Sequence, residues 1–97
     1  MNIDELYKEI STYLEEVNVD EDGDHLWDNL QRATSILVRL TQIRTELAWE
    51  EINGRSAIEA KKFRTMIVDP AIERVGDVAR FESRKITARS IEAQMEK

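Results

Sequence analysis

An all-α fold, a long antiparallel helical hairpin with a shorter N-terminal helix, follows from three features of this 97-residue chain. Apolar residues recur every three or four positions through three long stretches, the period of an amphipathic helix. Three glycines and one proline are few interruptions for a chain of this length. No stretch alternates apolar and polar residues as a half-buried strand does. One domain is expected over residues 1–97, because a second core of useful size does not fit.

The first helix is predicted over residues 1–17. Asn2 is its cap and Glu5 the capping-box partner three residues on. Ile3, Leu6, Tyr7, Ile10, Tyr13, Leu14 and Val17 form its apolar stripe. Residues 18–24, Asn-Val-Asp-Glu-Asp-Gly-Asp, have the composition of a loop. The second helix, 25–53, is capped by Asp24 and carries Leu26, Leu30, Ala33, Leu37, Leu40, Ile43 and Leu47 along one face. Asn53-Gly54 is its expected left-handed terminator. Ile36, Leu37 and Val38 are consecutive, so the apolar surface at mid-helix is wider than one partner helix covers. Trp27 and Trp49 are assigned to core or interface packing.

Ser56 and Glu59 read as a capping box opening a helix over 56–68. Asp69-Pro70 should then break or kink the chain, since a residue before proline avoids the α region. A last helix is expected over 70–95, with Ile72, Val75, Val78, Ala79, Ile86 and Ala93 along it. Two arms of this size bury little apolar area per residue. Self-association into a bundle or ring is therefore expected, through Leu26, Leu30, Ile36, Leu37, Val38 and Leu40.

Charge is divided unevenly. Residues 1–28 hold ten carboxylates against Lys8, a net −9, and residues 29–97 hold thirteen bases against ten acids, a net +3. Self-repulsion in the first segment suits a basic partner surface or docking on the chain's own basic face. With no cysteine there is no disulfide framework and no thiolate nucleophile. A single His25 removes the two-histidine metal motifs. No apolar run is long enough for a membrane span, and the acidic start is unlike a signal peptide, so a cytoplasmic protein is expected.

Three constellations bear on chemistry. Starting at Asn18, the acidic loop puts Asn18, Asp20, Asp22 and Gly23 in register with a calcium loop. The ninth position is then Leu26 and the twelfth Asn29, where a bidentate Glu is needed, so no metal is expected. The segment Glu73-Arg74-Val75-Gly76-Asp77-Val78 resembles part of the second motif of MazG-type nucleotide pyrophosphohydrolases, all-helical magnesium enzymes. Arg74 stands where that family has a ligand Glu, and helix 2 offers no Glu-x-x-Glu. A cation at a ligand position argues against a working site, so neither catalytic residues nor a cofactor are expected. The third constellation is basic. Arg80, Arg84, Lys85 and Arg89 fall close to one face of the last helix, with Phe81 among them, and Lys61, Lys62 and Arg64 open the helix before it. Such a stripe can track a nucleic-acid backbone.

The order of acidic amphipathic helix, long helix with the stretch Thr45-Glu46-Leu47-Ala48-Trp49-Glu50-Glu51, break, and basic C-terminal helix resembles phage UvsY-type recombination mediators. The resemblance implies a small helical protein that forms rings, binds single-stranded DNA and helps load a recombinase. An aromatic-rich segment after the long helix is absent from this chain. The expected function is a non-enzymatic, self-associating accessory that binds single-stranded nucleic acid through the seven basic residues. A protein-binding module acting through the acidic segment is the alternative.

Overall fold

The computed structural model describes residues 2–95. Helix α1 spans Ile3–Glu16 and α2 spans Leu26–Asn53; α3, Ala57–Phe63, passes through a π-helical turn, Arg64–Val68, into α4, Asp69–Met95. No strand occurs among the described residues. Asn2 caps α1 as its composition predicts, its side chain accepting from the Glu5 N–H.

The second arm does not break at Asp69-Pro70. Asp69 keeps helical dihedrals (φ −62°, ψ −45°), and its N–H donates to the Arg64 carbonyl five residues back. A proline ring inside a helix collides with the carbonyl four residues earlier, here Met66, and removes one hydrogen bond. The wider π turn immediately before Pro70 makes room for that ring, so the chain stays helical through the junction instead of breaking. Arg64 reinforces the turn by bridging Glu51 at 2.8 Å and Asp69 at 3.2 Å, tying α2 to the junction. At the hairpin tip Gly54 is extended (φ −93°, ψ 169°) rather than left-handed, and Ser56 makes no side-chain cap.

The two arms give a rod of 62 × 21 × 16 Å. Its radius of gyration, 16.8 Å, exceeds the roughly 13 Å of a compact chain of this length. The core is a seam of Ala33, Ile36, Leu40, Ile43 and Leu47 from α2 against Ala60, Phe63, Val68, Ala71, Val75 and Val78 from the second arm. Helix α1 lies along this seam with its start beside the tip, adding Leu6, Ile10 and Val17. Arg39 holds it there through a double hydrogen bond to Glu9 (2.6 and 3.1 Å).

That third layer corrects the expected oligomer face. Leu26, Ile36 and Leu40 are buried within the chain, and Leu30 and Leu37 are half-buried. The apolar width at mid-α2 is used by two neighbours of the same molecule, α1 and the second arm. Of the six residues only Val38 is exposed. Trp27 and Trp49 are not core residues either: 64% and 68% of their surface is exposed.

Candidate interaction surface

The connection between α1 and α2 is an ordered turn built by polar groups. Asp20 is its centre. Its carboxylate accepts from the Gly23 N–H (3.1 Å) and the His25 N–H (2.7 Å). Those donors, His25 foremost, hold the Asp20 carboxyl below its ordinary range. The sequence assigned the cap of α2 to Asp24; in the structure His25 occupies the cap position with no side-chain bond, and Asp20 satisfies its backbone. Gly23 is left-handed at φ +74°, where a side chain would be strained and would also meet the Arg89 guanidinium.

Helix α4 grips this turn from below. Lys85 Nζ donates to the Asp20 carbonyl at 2.8 Å, and Arg89 Nη1 donates to the Gly23 carbonyl at 2.6 Å. Beneath them lies Glu82, a carboxylate with no exposed surface. Asn29 donates to its Oε2 at 3.2 Å while also donating to the Asn18 carbonyl at 2.7 Å. Lys85 Nζ stands 3.5 Å from Oε1, which accepts no hydrogen bond from the described residues. A buried carboxylate demands a cation and donors, and the acidic turn is folded over the groups that supply them.

The predicted basic stripe is therefore divided. Lys85 and Arg89 are committed to the turn, with Lys85 also 5.0 Å over the Phe81 ring. Arg80 pairs with Asp77, and Arg84 is exposed. Arg64 is held by Glu51 and Asp69. Lys61 and Lys62 are exposed but sit on α3, at the tip, while Arg89 lies at the far end of the rod. Tertiary structure thus commits Lys85 and Arg89 to the turn, leaves Arg80 and Arg84 outside it on the same helix, and sets Lys61, Lys62 and Arg64 toward the tip.

What the turn presents outward is acid. Glu21, Asp22, Asp24 and Asp28 are all exposed, beside exposed Glu15 and Glu16 at the end of α1. None of the six forms an ion pair among the described residues. The calcium-like register does not assemble: the Asp20 carboxylate is bound to backbone N–H groups, and no three His, Asp or Glu side chains gather to hold a metal among the described residues. In the MazG-like segment Asp77 is paired with Arg80, and Arg74 reaches the Leu14 carbonyl at 3.4 Å.

Sequence reasoning missed Glu82, Asn29 and Asp20. One signal was available: Ala71, Val75, Val78 and Glu82 continue a single core stripe, so a carboxylate occupied a core position. Fold and surface together define an all-α, rod-shaped protein with an ordered acidic turn at one end. No family model, curated protein or solved structure matches the chain. Among the described residues no helix is long and apolar enough to cross a membrane.

Proposed function

We propose that this chain is a non-enzymatic helical module that binds a basic surface of a partner protein through the acidic turn. The observation that carries this reading is how α4 holds the turn. Had the turn been a mimic of nucleic acid docked on the basic helix, its carboxylates would pair with Lys85 and Arg89. Instead those cations grip backbone carbonyls, and the carboxylates of Glu21, Asp22, Asp24 and Asp28 stay free. A pre-ordered cluster of like charge loses little conformational freedom on binding and steers a cationic partner by its field.

A labelled arginine-rich peptide titrated at low salt, followed by fluorescence anisotropy, tests it. The peptide should bind with an affinity that falls as salt rises. Replacing Glu21, Asp22 and Asp24 by their amides should weaken binding by about tenfold or more with unchanged thermal stability. Equal affinity in that variant would overturn the proposal.

A second reading, binding of single-stranded nucleic acid as an accessory to recombination or replication, draws on exposed Arg80 and Arg84 beside half-exposed Phe81. It predicts that a fluorescent oligonucleotide binds with steep salt dependence, and that the loss on replacing Arg80 and Arg84 by Ala is general across sequences.

A further inference from the structure

The outward face of α2 has a composition unlike the rest of the molecule. Trp27, Leu30, Gln31, Thr34, Val38, Thr41, Gln42, Thr45, Ala48, Trp49 and Ile52 fall within about 120° of arc at 3.6 residues per turn. They lie opposite the core stripe of Ala33, Ile36, Leu40, Ile43 and Leu47. All are exposed except Leu30, which is half-buried. None is charged. At 35% charged overall, eleven residues would carry about four charges, and a solvent-facing helix surface is where charges normally gather.

The threonines make this face more apolar than it reads. Thr34 Oγ1 donates to the Leu30 carbonyl (2.8 Å), Thr41 to Leu37 (2.8 Å) and Thr45 to Thr41 (3.0 Å). Each hydroxyl is satisfied on its own helix, as is usual for a threonine bonded four residues back. Trp27 and Trp49 at the ends, with Val38 and Ile52 56% and 80% exposed, complete a strip that runs the length of a helix about 42 Å long.

We infer that this face is the interface of a homodimer in which a second copy of the chain lays its α2 antiparallel against it, about a two-fold axis between Val38 and Thr41. The order of residue sizes points to the same strip as the occupant. Thr34, Val38, Thr41 and Thr45 run through the middle, with Gln42 at its edge, and the two tryptophans and Ile52 stand toward the ends. An antiparallel two-fold sets Trp27 over Ile52, Trp49 over Leu30, Gln31 over Ala48 and Thr34 over Thr45, so each tryptophan meets an aliphatic partner. A two-fold interface must be self-complementary in this way. Antiparallel packing also opposes the two helix dipoles. Eleven residues per copy with their fringe give a small interface, roughly 1,200 Å² in total, which suits a dimer of micromolar rather than nanomolar affinity. The inference does not rest on the acidic-turn reading and is tested with different variants.

The test uses the full chain. Sedimentation over a micromolar to high-micromolar range should show a monomer–dimer equilibrium. Emission from the two tryptophans, both on this face, should move to shorter wavelength in step with it. Val38→Glu and Val38→Lys, at an exposed position that leaves the core intact, should each weaken the dimer at least about tenfold, and mixing the two should restore a heterodimer. The chain has no cysteine, so Gln31→Cys mixed with Ala48→Cys should form a mixed disulfide, whereas Gln31→Cys alone should not self-link. A chain that stays monomeric throughout, a dimer indifferent to both Val38 substitutions, or self-linking by Gln31→Cys would each overturn the inference.

Discussion

The two ends of the rod connect helices by opposite means. At the acidic end, nine residues turn between α1 and α2 on a polar network from three elements: the Asp20 carboxylate and the Asn18 carbonyl in the turn, Asn29 on α2, and Glu82, Lys85 and Arg89 on α4. At the tip, three residues join α2 to α3 with an extended Gly54, no side-chain cap at Ser56, and exposed Ile52, Ile58 and Met66 nearby. The acidic end is specified by polar groups that must all be satisfied together. The tip is specified by apolar burial under it and by the Arg64 bridges. A conformation imposed by a buried charge is sensitive to single atoms, and one imposed by a short tether is not.

The largest break in this contrast is expected from Lys85→Met. It leaves Glu82 buried without its cation and frees the Asp20 carbonyl. Removal of one partner of a buried pair typically costs about 3–5 kcal/mol, and the partial exposure of Lys85 puts the loss near about 3, read from the urea midpoint. Gly23→Ala comes next. A left-handed φ imposes about 1–2 kcal/mol of strain on alanine, and the new methyl meets Arg89. Gly54→Ala is its counterpart at the tip. There φ is ordinary and the new methyl meets only the flexible Glu50 carboxylate, so a change within about 0.5 kcal/mol is expected. Equal losses at the two glycines would erase the contrast.

Acid sharpens the comparison. The hydrogen-bonded Arg39 holds the Glu9 carboxyl low, backbone donors hold Asp20 low, and Arg64 holds Glu51 low. Each folded value lies below the unfolded one, so their contribution is complete above about pH 4.5 and is lost as pH falls through the lowered values. Thermal melts from pH 7 down to 3 should show falling stability. Asp20→Asn should flatten that dependence through the acidic turn, and Glu51→Gln should flatten it through the tip. The smallest effect is expected from Arg84→Ala, an exposed residue with no ion pair among the described residues, at less than about 0.5 kcal/mol.

The helices were legible because local periodicity and Asn2 capping are short-range properties of the chain. The stripe through Leu6 and Ile10, that through Leu40, Ile43 and Leu47, and that through Ala71, Val75 and Val78 each bury the face their spacing marks. Basic residues on α4 read as a free stripe because helical spacing reports which residues share a face, not what covers it. The turn that takes up Lys85 and Arg89 lies more than sixty residues away in sequence. The Asp69-Pro70 break was a sound local inference, overturned because a π turn absorbs the proline and Arg64 ties Glu51 to Asp69 across the junction.

The sequence by itself determined the number of long helical stretches, the polarity of each face and the division of charge between the first 28 residues and the rest. Those depend on residue type and spacing alone. Tertiary structure decided which apolar faces are used up, since Leu26, Ile36 and Leu40, which had looked free, are buried within the chain. It also decided which charges remain available. Burial of one carboxylate, Glu82, recruits Lys85, and the grip of Lys85 and Arg89 turns the acidic carboxylates outward. Desolvation and hydrogen-bond satisfaction act between groups far apart in the chain, so only the folded arrangement could assign them.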